Sequence, residues 1–128
     1  MSNDEGGGRR FDLEERTARF GEDIIRFLKT VPITPLTSPL VSQLVRSAGS
    51  VGANYCEADD AVSKREFFQK IGTCKKESRE SKHWLRLLAA ATDEEKKLKI
   101  RSLWHEAREL HLIFTAILNR RGKEKGEI

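Results

Sequence analysis

Three groups of side chains in this sequence have types and spacings that could do chemistry. Glu80-Ser-Lys-His83 reads Glu-x-x-His, the ligand pair that a helix contributes to a carboxylate-bridged di-metal bundle. Such a centre needs a second pair and two further inward carboxylates. His105 and His111 do not provide one, because Ser102 and Arg108 stand three residues before them. A lone match at this spacing arises readily by chance, so no metal ligand is assigned and His83 reads as a surface or boundary residue. Glu57, Glu77 and Glu80 are carboxylates of the kind that serve as general acid and base. No nucleophile beside a base, no glycine-rich phosphate loop and no zinc spacing accompanies them, so the expectation is no catalytic residue and no cofactor. Cys56 and Cys74 lack CxxC spacing and are expected to be buried free thiols of a reducing compartment.

The third group is basic. Lys75, Arg79, Lys82 and Arg86 recur at i, i+4, i+7 and i+11, one stripe along a helix, and Lys76, Lys64, Arg65 and Lys70 broaden it. Between Ser63 and Thr92 eight Lys or Arg stand against three Glu, although the whole chain carries only +4. A stripe of this kind is the electrostatic footprint of a protein that meets phosphate backbones. The competing reading is a solvated face whose Glu66, Glu77 and Glu80 pair locally. No aromatic stacking platform accompanies the cations, so any contact should position a nucleic acid rather than read its bases.

The elements that position these groups are helices. Charged residues make up 34% of the 128 positions, mixed in sign, and no run of β-branched residues alternates with period two. No apolar run is long enough to cross a membrane, and Met1–Arg10 has no signal-peptide pattern, so a soluble cytoplasmic protein is expected. Residues 1–10 read as a disordered tail, 11–121 as one bundle and 122–128 as a second tail. The first helix is expected from Asp12, capped with Glu15, with a core face of Leu13, Thr17, Phe20, Ile24, Phe27, Leu28 and Val31. Pro32 and Pro35 end it. Ser38-Pro39 is expected to open the second helix, Ser63 with Glu66 the third, and Thr92 with Glu95 the fourth; Gly122 is expected to close the fourth. Four amphipathic helices on short links give an all-α, antiparallel up-down four-helix bundle. Leu112 and Ile113, with Leu98, fall off the main stripe of the fourth helix and suggest a self-association surface.

The second helix centres on Arg46–Glu57, R-S-A-G-S-V-G-A-N-Y-C-E. Gly49 and Gly52 in mid-helix suggest close approach of another backbone. Asn54 and Glu57, three apart beside the apolar stripe, are expected to be drawn inward and to meet partners in Cys74–Trp84. With Glu77 and Glu80 they form an expected structural polar network that sets helix register.

Two blocks of this chain resemble a known family, the four-helix bundle proteins called 23S ribosomal RNA intervening-sequence proteins. One is S-V-G-A-N-Y-C-E over Ser50–Glu57; the other is Cys74–Leu88, C-K-K-E-S-R-E-S-K-H-W-L-R-L-L, which is similar to a K-E-x-x-E-x-x-x-W-L form, together with the Phe67-Phe68 start of that helix. The resemblance spans about Phe11 to Asn119 and is weaker in the first and last helices. Ala58 departs from the glycine of many members, which implies a slightly longer second helix. What the resemblance implies is a left-handed up-down bundle without catalytic activity that assembles as a homo-oligomer, typically a pentamer. Its characteristic polar positions fall on Asn54, Glu57, Glu77 and Glu80. Members are similar to an accessory protein of retroelements that binds RNA and a reverse transcriptase, and some are encoded within inserts of ribosomal RNA genes.

The expectation is therefore a non-enzymatic, oligomeric bundle that binds RNA or another nucleic acid through Lys75, Lys76, Arg79, Lys82 and Arg86. The alternative is a protein-interaction scaffold, an accessory subunit for a partner such as a reverse transcriptase, with no nucleic-acid contact.

Overall fold

The computed structural model describes the backbone of residues 5–124 and the side chains of residues 13–121. Four helices follow one another: α1 (Glu5–Leu28), α2 (Thr37–Asp59), α3 (Lys64–Ala91) and α4 (Lys97–Glu124), with a short 3-10 turn, Glu94–Lys96, before the last. No strand occurs among the described residues. α1 begins ahead of the expected Asp12 start, and α4 runs through Gly122 rather than ending there. Residues 1–4 and 125–128 of the expected tails lie outside the described residues.

The apolar spacing decides which face of each helix is buried. All seven expected core positions of α1 and its exit are buried, from Leu13 to Val31. Thr17 can sit among them because its hydroxyl donates to the Leu13 carbonyl at 2.8 Å, which removes the cost of an unpaired buried hydroxyl. On α3 the buried line is Ile71, Cys74, Ser78, Ser81, Leu85 and Leu88, and on α4 it is Ile100, Leu103, Ala107, Leu110, Phe114 and Ile117. Phe67, Trp84, Trp104 and Leu118 pack half-buried at its edge.

The helix starts show which local rule wins. At α2 the expected Ser38-Pro39 cap is replaced by Thr34 and Thr37, a full turn earlier. The Thr34 hydroxyl accepts from the Thr37 amide at 3.1 Å, and the Thr37 hydroxyl accepts from the Thr34 amide at 2.9 Å. The Ser38 amide bonds to the Thr34 carbonyl, closing the Thr34–Thr37 turn that leads into α2. At α3 the expectation holds: Ser63 accepts from the Glu66 amide at 3.1 Å, and Glu66 reaches back to the Val62 amide. At α4 it does not. Thr92 closes α3 instead, its hydroxyl donating to the Leu88 carbonyl, and the 3-10 turn leads into α4.

The pairings run antiparallel. On α2 and α3, Ser47 meets Ser81 (Oγ to Oγ 2.9 Å), the Cys74 thiol meets the Val51 carbonyl, and Glu57 meets Lys70. α1 passes α2 with Gly21 near Ala48 and Thr17 near Gly52. Lys82 of α3 sits over the ring of Trp104 of α4. α1 and α4 share a smaller contact, clamped by Arg16, which donates to both carboxylate oxygens of Glu106 at 2.7 and 2.9 Å. The chain therefore goes up, down, up and down, with α3 packed along both α2 and α4.

Close approach does not explain the α2 glycines. A side chain at Gly49 would meet nothing within 4 Å, and one at Gly52 would meet Thr17 atoms at 3.5 Å, an ordinary contact distance. The small residues that meet across the α2–α3 seam are Ser47 and Ser81, both buried.

Candidate nucleic-acid interface

The expected polar network of Asn54, Glu57, Glu77 and Glu80 resolves into three separate contacts. Asn54 donates to the Ser50 carbonyl (2.9 Å) and hydroxyl (3.0 Å), one turn back on its own helix. Glu57 is exposed and pairs with Lys70 at 2.6 Å, which holds the Lys70 ammonium above its ordinary pKa, first through that hydrogen bond. Glu77 and Glu80 are brought together by a residue the sequence reading did not assign, Arg46 of α2. Its guanidinium reaches Glu77 at 3.4 Å and Glu80 at 2.6 Å, and the Glu77 hydrogen bond is the first cause of its raised pKa. Glu77 is the buried member, and its second oxygen, Oε1, has no hydrogen-bond partner.

This arrangement bears on the second reading of the basic stripe, a face paired within its own helix. If the stripe were a locally paired face, the glutamates of α3 would hold its cations. Instead Glu77 and Glu80 turn to Arg46, and Glu66 caps the helix start. Among the described residues, Lys75, Lys76, Arg79, Lys82 and Arg86 have no carboxylate within ion-pair distance. Lys76, Arg79 and Arg86 are exposed, while Lys75 and Lys82 are half-buried toward α4. Lys82 is steadied by its cation–π contact, 5.3 Å from the centroid of Trp104. Lys70, one of the residues expected to broaden the stripe, is taken out of it by Glu57.

A groove of about 430 Å³ lies on this side of the bundle. Gly72, Lys75, Lys76, Arg79 and His83 of α3 line it, and α4 contributes His111. The half-buried His111 imidazole is held below its ordinary pKa, by loss of water first and then by the charges of Lys82, Lys75 and Arg79. Trp84 also lines the groove, its ring edge-on to His83 at 5.0 Å, with a buried Nε1–H that has no partner. His111 and Trp84 were not assigned from sequence, and neither carries a local spacing signal that points to the stripe.

Of the Glu80–His83 pair, Glu80 is engaged elsewhere, by Arg46, and no cluster of three His, Cys, Asp or Glu able to hold an ion exists among the described residues. Both cysteines are free thiols, but the expected burial holds for Cys74 alone: Cys56 is exposed on the outer face of α2, and burial pushes the Cys74 thiol up to about 12.

A family model described as 23S rRNA-intervening sequence protein matches residues 9–116. The chain belongs to this family. Its four helices also superpose on a solved member of the S23 ribosomal protein family, a protein of unknown function from Bacteroides thetaiotaomicron VPI-5482. That match has a TM-score of 0.72 and 24% identity, over 86% of this chain and 97% of the other. At this identity the likeness shows the shared fold. No curated protein matches the chain. No described helix is long and apolar enough to cross a membrane.

Proposed function

We propose that this member of the 23S rRNA-intervening sequence protein family is a non-enzymatic bundle that binds RNA through its phosphates. Lys75, Lys76, Arg79, Lys82 and Arg86 supply the charge. The observation that supports this is the diversion of α3's own glutamates away from the stripe, which leaves five cations with no carboxylate partner among the described residues. Free cations on one helix face gain most when a polyanion arrives and releases its counterions. The two unpaired cysteines suit a reducing cytoplasm. Assembly as a homo-oligomer, with five copies as the family resemblance implies, would multiply the stripe and raise its avidity.

The test is a salt titration of structured RNA binding, with mass in solution measured alongside. Each neutralised phosphate contributes a logarithmic slope of about −0.7 to −0.9, so engagement of all five cations gives roughly −3.5 to −4.5 per protomer. Lys75→Glu, Arg79→Glu and Lys82→Glu together should abolish binding and leave the helical content intact. An RNA-indifferent protein at low salt refutes the proposal.

One observation favours the scaffold reading as the second choice. A groove of about 710 Å³ opens at the end of the bundle where α1, α2, α3 and α4 meet, floored by Leu13, Tyr55, Phe67, Ile113 and Ile117. Such a surface suits a protein partner, for example a reverse transcriptase, whose binding would be much less sensitive to salt.

A further inference from the structure

We propose that the groove between α3 and α4 is a two-helix phosphate seat in which His111 joins Lys75 and Arg79, and that a phosphate held there is bound together with a proton on the His111 imidazole. The inference rests on the RNA-binding reading and deepens it, since it names where one phosphate sits and what regulates it.

Three observations lead here. First, the groove brings cations of one helix and an imidazole of the next to a single cavity; a straight stripe on α3 alone would not do this. Second, Gly72 lies on its wall with nothing within 4 Å of where a side chain would stand, so the backbone there leaves room for a bulky group. Third, the carboxylate that lines the groove, Glu80, is neutralised by Arg46 at 2.6 Å and does not repel an anion.

The groups around His111 set the sign. From α3 it faces Lys75, Arg79 and Lys82, with Lys76, Glu80 and His83 elsewhere on the groove. On α4 Arg108 stands one turn before it and pairs with Glu109 at 3.7 Å, and the Thr115 hydroxyl donates to its carbonyl. In the free protein, lost hydration and three cations disfavour the protonated imidazole. A phosphodiester offsets part of that positive charge and accepts a hydrogen bond from the imidazolium, so protonation of the imidazole becomes easier. A phosphodiester does not titrate near neutral pH, so the proton taken up comes from solvent and resides on the imidazole. Binding must then tighten as pH falls.

The experiment uses the whole chain and an oligouridylate as the probe, at fixed salt. Affinity is measured near pH 8 and near pH 6, and the His111 ring is followed by NMR with and without RNA. One linked proton gives up to about tenfold tighter binding per pH unit across the window between the two pKa values. The expected results are an upward shift of the His111 titration on RNA binding and a flattened pH dependence in His111→Gln, with the dependence kept in His83→Gln. Binding with an unmoved His111 titration, or a pH dependence that survives His111→Gln, overturns the phosphate seat and leaves the stripe standing. Absence of RNA binding at either pH overturns the stripe itself and the seat with it.

Discussion

Replacing Arg46 by methionine should cost this protein about 2 kcal/mol, because it strands a buried charge. The Glu77 carboxylate retains only 9% side-chain exposure, and its Oε1 already lacks a partner. Its other oxygen depends on Arg46 at 3.4 Å. A hydrogen bond to a charged group contributes about 1.5–3 kcal/mol, and stranding one member of a fully buried pair costs roughly 3–5 kcal/mol. Arg46 is half exposed and the contact is long, which moves the value to the low end of the first range. The Glu80 contact is shorter but sits in solvent, so it adds at most about 1 kcal/mol. For a chain of this size about 2 kcal/mol is roughly 8 °C in Tm. Urea and thermal unfolding followed by circular dichroism, at one protein concentration, would read it. Glu80→Gln should cost less than Arg46→Met, and Arg46→Met with Glu77→Met should recover much of the loss, since neither charge is then buried alone. An Arg46→Met protein within about 0.5 kcal/mol of the parent would falsify the account, because Glu77 would then find its solvation without Arg46.

The remaining predictions are simpler. Gly49→Ala and Gly72→Ala should each stabilise the bundle by about 0.5–1 kcal/mol, because both lie inside helices with open space above them; a loss of stability would mean that something covers these positions in solution. One thiol per chain, Cys56, should react quickly with a disulfide reagent at mildly alkaline pH, and Cys74 only after unfolding, because burial holds its thiol neutral up to about 12. Two fast thiols would contradict the burial of Cys74. Without RNA, His111 should make the fold less stable in acid. Its folded-state pKa lies below the unfolded value near 6.5, so the unfolded chain binds the extra proton as pH falls through that value. His111→Gln should remove this part of the acid loss in urea midpoints, and an identical pH profile would show that the imidazole is freely solvated.

The helices and their buried faces were legible in the sequence because a 3.6-residue repeat is a local signal. Leu13 to Val31 could be placed without knowing any partner. The start of α2 was harder. Thr34-Pro35 and Ser38-Pro39 offer the same cap one turn apart, and what decides between them is the reciprocal Thr34–Thr37 bonding. Thr92 shows the same competition, a hydroxyl able to open one helix or close the previous one. Of the candidate site, the sequence offered only the cations of α3. Its five cations share one helix, but Arg46, His111 and Trp104 join them through the register of neighbouring helices, which single-helix periodicity does not encode. The expected burial of Glu57 failed for a related reason. Its position three residues after Asn54 turns it toward Lys70 at the edge of the α2–α3 seam and leaves it in solvent.

The up-down order of the helices also shapes how the chain reaches this structure. The two largest helix pairings, α2 with α3 and α3 with α4, join neighbours along the chain, so each forms across a short loop at small entropic cost. Folds dominated by such local contacts reach the native state in microseconds to milliseconds. The α1–α4 seam is different: Arg16 and Glu106 are 90 residues apart, and among the described residues this pairing is smaller than that of α1 with α2, α2 with α3 or α3 with α4. That clamp should close after the rate-limiting step, so Arg16→Ala should speed unfolding in stopped-flow experiments and leave the refolding rate nearly unchanged. The bundle would then have a preferred line of opening, along the one edge where its first and last helices meet.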